Sequence, residues 1–502
     1  MANFTINYQN GGIGGVVSSP DFISGLIYDT TLLPAGFDSN NRIKSVESIK
    51  DAEALGIYNT STSETKATAG AVTITGVTAG DTMTLYITPA YGNKTLIGTY
   101  QVKSSDTTGT TCSGLATSIN TKGSGFSAAV VGNKVNLTIP RGYGASVNSS
   151  GLTIEHSLSA GVAGTTLTQF SGGVGAQNDI LHNLIDTYFK TNRKTKLWIG
   201  IYDFTSAFDA STIASMQTFA CGEIRQIAIW TKKGLDGIQS IVSDCNAVAT
   251  DQASKKKPVS IIIGAQAGTA TLATLTNLRT LTAPRVSVTI SNPYGTSDLA
   301  YRLKGITGYF PTDLGQVLGL VSRSKVSNSV AWVANNILLN TDSMLVTGEK
   351  WADIEDTTKP EELSGKGYIF QCKYFGYAGS YLYNDAVSDA VTSDYESIKR
   401  QRTMDKVARQ AYYVLVPYLS SPIILDPTNG TISTGKIIEI TSLLNSALTQ
   451  MATASEVSGY QVYINPSQNV LVTKNIEIDI TIVPVGSADS ITLNLGYALT
   501  LQ

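Results

Sequence analysis

Between residues 179 and 290, apolar strands alternate with amphipathic helices, and this alternation restricts the fold more than any other feature. Helical periodicity begins at Asp179, at Ser211 and at Leu235. Four short apolar runs occupy the intervals, at 197–201, 224–230, 259–263 and 286–290. Such alternation is typical of a mostly parallel sheet covered by helices on both faces. The sequence therefore predicts an α/β core.

The composition changes at about residue 61 and changes back at about 178. The stretch between is poor in charged residues and rich in Gly, Thr and Ser. Alternating patterns predict strands at 73–77, 82–87 and 134–139, and one helix is expected from Cys112 to Asn120. These patterns predict a small β-rich module inserted into the core. Because the flanking chain must remain one domain, the two ends of the module should lie close together.

After about residue 340 the pattern becomes α+β. A strand is expected at 367–374, a long helix at 394–417, and further strands at 470–472, 476–482 and 491–501. The predicted division of the chain is a 1–20 N-terminal arm, a 21–60 start of the core, a 61–178 inserted module, a 179–340 α/β core, a 341–486 α+β C-terminal domain and a 487–502 C-terminal strand arm.

Composition narrows the classes of function. The chain has 36 basic and 38 acidic residues, a balance that argues against a nucleic-acid binder or a polybasic membrane-surface protein. Only 15% of its 502 residues are charged, against about 25% in an average globular protein. We expect much of the surface to lie against other protein. The N-terminus lacks the pattern of a signal peptide, and no apolar run reaches the length of a membrane span, so we expect folding in a cytoplasm.

The motifs that usually carry chemistry are weak, and no cofactor or metal is predicted. The run Gly11, Gly12, Gly14 and Gly15 has no lysine to reach a phosphate, so it is read as an arm or turn. No serine occupies a nucleophile elbow. Both histidines, at 156 and 182, are expected at the surface or at a domain boundary. The four cysteines are far apart and are expected to be free, mostly buried thiols: Cys112, Cys221, Cys245 and Cys372.

An enzyme would use the crevice beyond the carboxyl ends of the parallel strands. The residues available there after strands 197–201, 224–230 and 259–263 are Asp203, Thr231, Lys232 and Gln266. This is a poor set for catalysis, and the sequence predicts no enzymatic activity.

The 394–417 helix carries an organised basic stripe. At 100° per residue, its four basic side chains fall within an arc of about 80°. They are Lys399, Arg402, Lys406 and Arg409. Two interpretations stay open: the solvated face of a core helix, or a docking face for an acidic partner surface.

Both ends of the chain have alternating apolar patterns. The N-terminal set is Phe4, Ile6 and Tyr8, and the C-terminal set is Ile491, Leu493, Leu495, Tyr497, Leu499 and Leu501. The glycine run after the first set and Gly486 before the second would serve as hinges. A strand with one apolar face needs a sheet to join. We expect both arms to add strands to the C-terminal sheet of a neighbouring subunit, although pairing within the same chain is the alternative.

Several segments resemble the tail sheath proteins of contractile-tailed bacteriophages and contractile injection systems. The resemblance covers roughly residues 1–60 and 179–502, and the order of its segments carries it more than any one motif. The segments are Gly25–Tyr28, Gly319–Val333, and the long run Gly367-Tyr-Ile-Phe, Tyr374-Phe-Gly-Tyr, Tyr383-Asn-Asp, Arg402, Asp405-Lys-Val-Ala-Arg409 and Tyr418-Leu-Ser-Ser-Pro-Ile.

The resemblance implies a virion or injection-device structural subunit without an active site. Subunits would stack as six-membered rings around an inner tube, and contraction would drive the tube through a target envelope. The implied partners are other copies of this chain, the inner tube protein, and baseplate and tail terminator proteins. Neither nucleic-acid contact nor membrane insertion is expected. Assembly would take place in the bacterial host cytoplasm.

In this setting the inserted module would face outward and the basic stripe would face the tube. The module also keeps a second class open, a surface adhesin or receptor-binding protein of a virion. An α/β core of some 160 residues is hard to reconcile with an adhesin stalk. The third class, an α/β enzyme, depends on the thin set of crevice residues.

Overall fold

The computed structural model describes residues 21–493 except 62, 69, 89–93, 150, 157–164, 177, 194, 293–297 and 339–342, and it leaves the side chains of 156 and 298–301 undescribed. The chain divides into two compact units. The sheet unit comprises Asp21–Arg323 and Val330–Ser397, and the C-terminal unit includes Ser324–Ser329 and the chain from Ile398 onward. The fold is mixed α/β with several sheets, which confirms the predicted class at that level.

The chain before the module contributes two strands and a short helix. They are β1 (Ser24–Asp29), β2 (Ile43–Val46) and α1 (Ile49–Ala54). All six residues of β1 are buried, as expected for an apolar strand covered on both faces. Helix α1 begins at Ser48, whose hydroxyl accepts a hydrogen bond from the Asp51 N–H at 3.3 Å.

The inserted module forms two antiparallel sheets and one helix around a shared core. The sheets have the strand orders β6-β7-β3-β9 and β5-β4-β8. The elements are β3 (Ala71–Ile74), β4 (Thr82–Thr88), β5 (Thr95–Gln101), α2 (Thr108–Thr121), β6 (Ser127–Val131), β7 (Lys134–Thr138), β8 (Gly151–His156) and β9 (Thr165–Thr168).

The two ends of the module meet, as its insertion into one domain predicts. The backbone N–H of Ala176 donates to the Thr60 hydroxyl at 2.9 Å, and that hydroxyl donates to the Asp179 carboxylate. Further into the module, Thr65 and Val174 form an isolated β-bridge between the two chain segments. The chain therefore enters and leaves the module at one place.

After the module the predicted alternation of helices and strands is present. The elements are α3 (Asp179–Thr191), β10 (Leu197–Tyr202), α4 (Ser211–Phe219), β11 (Gln226–Gly234), α5 (Ile238–Ser254), β12 (Ser260–Gln266), β13 (Val286–Thr289), β14 (Ser291–Asn292), α6 (Asp298–Thr307) and α7 (Leu314–Arg323).

The remaining chain of the sheet unit is made of short elements. They are β15 (Met344–Leu345), α8 (Trp351–Ile354), α9 (Lys359–Gly365), β16 (Tyr368–Ile369), β17 (Gln371–Cys372) and β18 (Tyr381–Leu382). The single strand expected at 367–374 is wrong, because the chain changes sheets after Ile369: β16 joins the central sheet and β17 pairs with β18.

The central sheet has seven strands in the order β16-β13-β12-β11-β1-β10-β2. All neighbours are parallel except β2, which is antiparallel to β10 at one edge. Helices cover both faces. Ile263 of β12 belongs to a core that includes Ile238 and Val242 of α5, whereas the next residue, Gly264, lies against Leu314 of α7. Since successive strand residues point to opposite faces, α5 and α7 lie on opposite sides of the sheet.

The C-terminal unit packs two long helices with a hairpin of strands. Its elements are α10 (Ile398–Leu415), α11 (Thr434–Thr453), β19 (Val457–Tyr463), α12 (Val470–Thr473) and β20 (Asp479–Pro484). The strand expected at 470–472 is wrong. The Asn469 side chain accepts a hydrogen bond from the Val472 N–H at 3.2 Å, and the chain forms the helical turn α12 instead.

At several places a side-chain amide makes the pair of backbone hydrogen bonds that a neighbouring strand would otherwise make. In each case the amide oxygen accepts from a backbone N–H and the amide nitrogen donates to the carbonyl of the same residue, at 2.6–3.2 Å. The described residues contain five such pairs: Asn120 with Ala128, Asn148 with Gly173, Gln169 with Leu152, Gln266 with Phe310, and Gln468 with Glu477. Each of these amides bonds to both the N–H and the carbonyl of one residue.

Candidate assembly surfaces

The carboxyl ends of the central strands are joined to one another by a buried carboxylate. Asp29, the last residue of β1, is 1% exposed. It accepts hydrogen bonds from the Phe204 N–H at 3.0 Å, the Thr231 hydroxyl at 3.1 Å and the Lys232 N–H at 2.9 Å. The Thr231 hydroxyl and the Lys232 backbone N–H, from two residues considered for an enzyme crevice, are therefore held in a structural cross-link between strands.

The other two crevice residues also bond within the protein. Gln266 exchanges two hydrogen bonds with the backbone of Phe310, both at 3.1 Å. Asp203 accepts from the N–H and hydroxyl of Thr205 in a local turn, and this hydrogen bonding lowers its pKa. Both side chains therefore form hydrogen bonds within the protein.

No cluster of three or more His, Cys, Asp or Glu side chains with metal-binding geometry occurs in the described part of the chain. None of its helices has the length and apolar character that a membrane crossing requires. Of the two positions expected for His182, the surface or a domain boundary, the surface is wrong: the residue is buried on the first turn of α3, with Nε2 3.1 Å from Glu53 Oε1.

The basic stripe of α10 is not a solvent-exposed face. Lys399, Arg402 and Arg409 are 4–6% exposed, and the side chain of Lys406 is 16% exposed. The interpretation of these residues as a solvated face is wrong, because α10 packs on both of its sides within the C-terminal unit. Its apolar side contributes Val407 to one small core and Ala411 to another.

Three of the four stripe residues have partners inside the same unit. Lys406 forms an ion pair with Glu456 at 2.7 Å, and the Glu456 side chain is 8% exposed. Lys399 donates to the Ser487 hydroxyl at 2.8 Å, and the Arg402 guanidinium lies 3.4 Å from the Ser324 carbonyl. The role predicted for these four side chains at the inner tube stays a prediction.

The hairpin of the C-terminal unit has a partner on only one side of each strand. β19 and β20 pair antiparallel over Val457–Tyr463 and Asp479–Pro484, and the described residues add no third strand. One face packs on the helices through residues that include Tyr460, Val462, Ile480 and Ile482. A two-stranded sheet with a covered face can accept a further strand at either edge.

A shallow apolar groove of about 450 Å³ lies beside this hairpin, between α11 and β19. It is lined by eight residues, none of them charged, which include Ile437, Ile438, Thr441, Val462 and Tyr463. Ile438 and Tyr463 are exposed at 63% and 52%. Exposed apolar patches of this kind are typical of surfaces that bind a protein or another ligand.

The chain that follows β20 exposes its apolar side chains. Ile491 and Leu493 are 87% and 76% exposed, and Gly486 has open space around its Cα. The other predicted arm residues lie outside the described residues: Phe4, Ile6, Tyr8, Leu495, Tyr497, Leu499 and Leu501, with the hinge glycines Gly11, Gly12, Gly14 and Gly15.

The inserted module is mounted firmly on helix α6 of the core. The Arg302 guanidinium donates to the Gly142 carbonyl at 3.2 Å and lies 4.8 Å from the centre of the Tyr143 ring. A Cβ placed on Gly305 would meet the Cβ of Ser146 at 2.9 Å. This close approach was not predicted, because a lone glycine in a helical pattern does not identify its neighbour.

Comparison with known families gives one partial match. A family model described as "DUF2586, C-terminal domain" matches residues 394–502. This segment is the part of the chain that contains α10, α11 and the hairpin. The comparison with curated proteins finds no match.

Solved structures of contractile assemblies are similar to the chain at low identity. The helical sheath of the anti-feeding prophage in its contracted state is 14% identical, with a TM-score of 0.46, over 65% of this chain and 84% of that chain. The 6-fold symmetrised baseplate of the same prophage gives 11% identity and a TM-score of 0.44 over 66% and 85%. The sheath complex of the extracellular contractile injection system PVC, also contracted, gives 10% and 0.44 over 64% and 81%. These structures belong to the class that the sequence resemblance named.

Proposed function

We propose that this chain is a structural subunit of a contractile sheath, which polymerises around an inner tube and drives that tube through a target cell envelope. The sequence resemblance over residues 1–60 and 179–502 supports this class. The strand-end residues considered for catalysis support it too, because the side chains of Asp203, Thr231 and Gln266 form hydrogen bonds within the protein. The subunit would belong to a virion tail or to the sheath of an injection device.

The observation that carries the proposal is the apolar surface around the C-terminal hairpin. Within the described residues, one unit contains two strands with one neighbour each, an uncharged groove and the exposed Ile491 and Leu493. A monomer that exposed these features would aggregate through them. A polymer of identical subunits covers them with copies of the same segments, which is a heterologous and therefore extendable contact.

We place the two terminal arms on this surface. The arm of residues 1–10 and the arm of residues 489–502 each leave their own subunit and add a strand to the hairpin of a neighbour. Each subunit has two terminal arms, and each hairpin has two strand edges to which a strand can be added. Main-chain hydrogen bonds supply the affinity in such strand addition, and alternate side chains supply the specificity. The links would persist while the subunits rotate during contraction.

The proposal also assigns a position to the inserted module and names further partners. The 61–178 module, with its own core and a single point of exit from the sheet unit, is the outward-facing element. Further partners are the inner tube, the baseplate and a tail terminator. The subunits would form six-membered rings, and the sheath would assemble in the host cytoplasm.

The test is polymerisation of arm variants. In the full chain, Ile491, Leu493 and Leu495 are changed together to Ser, and the matched control changes the intervening Thr492 and Asn494 to Ser. Only the first set faces the sheet in a strand that alternates. We expect the apolar variant to be a soluble, folded monomer and the control to form tubes, as measured by sedimentation and negative-stain imaging. Normal tubes from the apolar variant, or an insoluble product, would contradict the proposal.

A further inference from the structure

A buried carboxyl group in the sheet unit has no part in the assembly surfaces. Asp313 is fully buried immediately before the first residue of α7. Its carboxyl accepts hydrogen bonds from the Thr289 hydroxyl at the end of β13 and from Gln371 Nε2 of β17 at 3.2 Å. Its backbone N–H donates to the Ser291 carbonyl of β14 at 2.9 Å. One residue thus joins three strands to the start of a helix.

The surroundings of this carboxyl are polar but uncharged. Ser291 adds a further link, because its hydroxyl accepts from the Gln371 N–H at 2.7 Å. Within the described part of the chain, no charged side chain contributes to the electrostatic environment of Asp313. The titratable side chains on the neighbouring strands are Tyr368 and Cys372, and burial raises the pKa of both. An ionised Asp313 therefore has no cation to compensate its loss of hydration.

Two effects oppose each other at this site. The helix N-terminus and the two hydrogen bonds favour the carboxylate. Burial favours the neutral acid and is the larger effect, so it raises the pKa of Asp313 from 3.8 to about 7. The group therefore changes its charge in the range of pH that a cell or its surroundings can impose.

We propose that Asp313 is a buried proton-binding site through which pH controls how firmly β13, β17 and the start of α7 are held together. One proton is taken from solvent per chain when the pH falls. An amide nitrogen can only donate, so the oxygen that faces Gln371 must remain an acceptor. The proton therefore resides on the oxygen that faces Thr289 and is donated to the Thr289 hydroxyl.

The direction of the pH effect follows from proton linkage. Between the pKa of an unfolded aspartate and that of Asp313, the folded chain binds one more proton than the unfolded chain. The contribution of this site to the free energy of unfolding is complete below about pH 4. It decreases as the pH rises from there and is lost once the pH has passed about 7. With pKa values of 3.8 and about 7, the unfolding constant should increase about 100-fold between pH 5 and pH 8.

The experiment measures urea unfolding of the full chain at pH 5, 6, 7 and 8. Asp313→Asn should lose the 100-fold dependence, whereas the control Asp353→Asn, which removes the same charge from an exposed position, should keep it. Asp179, whose pKa is also raised by burial, requires its own variant, and Asp179→Asn should keep the dependence that Asp313 supplies. Equal dependence in the wild type and Asp313→Asn would overturn the proposal.

Infrared spectroscopy provides a second measurement that does not need the Asp313 variant to fold. Folded Asp179→Asn should show the carbonyl band of a protonated carboxylic acid at pH 5.5 and lose it at pH 8. Gln371→Leu removes a hydrogen bond that favours the carboxylate, so the loss of the band should shift to higher pH. If the band is absent at pH 5.5, Asp313 is ionised in the folded chain and the proposal fails.

Discussion

A single arginine fastens the segment that precedes helix α10. Arg279 lies in the short 3₁₀ turn Leu278–Thr280, and its Nη1 is 3.2 Å, 3.2 Å and 2.9 Å from the carbonyl oxygens of Val387, Asp389 and Glu396. We predict that Arg279→Met, which keeps an apolar stem of similar length, frees this segment from the sheet unit.

The magnitude follows from the number of protons on the donor. Nη1 has two hydrogens, so at most two of the three carbonyls receive a full hydrogen bond. A hydrogen bond to a charged group contributes about 1.5–3 kcal/mol. Arg279→Met should therefore lower the free energy of unfolding by about 3 kcal/mol, since part of the lost bonding is recovered from water. Arg42→Met is the matched control: Arg42 Nη1 donates to one carbonyl, that of Ile201, at 3.2 Å, and its loss should cost about half as much.

The assay combines urea unfolding with hydrogen exchange resolved by peptide. In Arg279→Met, exchange should accelerate in peptides that cover 386–397 and remain unchanged in β1, β11 and β12. The reasoning is refuted if the two methionine variants lose equal stability, or if exchange in 386–397 is unaffected. Either result would mean that the backbone bridges of this segment hold it without the guanidinium.

Two further predictions concern packing and thiol access. Gly315→Ala would place a Cβ within 3 Å of the Leu184 carbonyl, and overpacking of the contact between α3 and α7 should lower the free energy of unfolding in urea by about 1–3 kcal/mol. Gly109→Ala in α2 is the control: its Cβ would meet only Thr107 Oγ1, at 3.9 Å, so this change should be neutral or stabilising. Equal effects of the two changes would contradict the packing argument. A thiol reagent should modify only Cys221 in the native chain and all four cysteines in urea, because the other three are buried and burial raises their pKa, that of Cys372 to about 12. More than one thiol modified at once under native conditions would show that the cores open.

The central sheet was predictable because its strands are continuous apolar runs between helices of strong periodicity. β10, β11, β12 and β13 lie within a few residues of the predicted bounds. Buried parallel strands are covered on both faces, so local pattern and tertiary environment require the same residues. The module was predictable for a similar reason, since its alternation marks one buried face.

The C-terminal unit was less predictable. Helix α11 was missed, although Ser433 caps its start and Ile440, Leu444, Ala447, Leu448 and Met451 recur at helical spacing along it. The interpretation of the α10 stripe as a solvated face was wrong because an amphipathic pattern does not reveal whether a second layer covers the polar side. The proximity of Asp313 to Thr289 and Gln371 has no local signal, because the three residues meet only through sheet topology.

The amide pairs described above make the chain sensitive to chemical ageing. Asparagine and glutamine are among the thermolabile residues, and hydrolysis turns their amide into a carboxylate. A carboxylate at Asn148 would still accept from the Gly173 N–H, but it would face the Gly173 carbonyl with a second acceptor in place of a donor. Each hydrolysed side chain would repel the carbonyl oxygen to which its amide now donates. Stored protein should therefore lose order first at these joints, with a mass increase of about one unit per event that peptide mapping can locate.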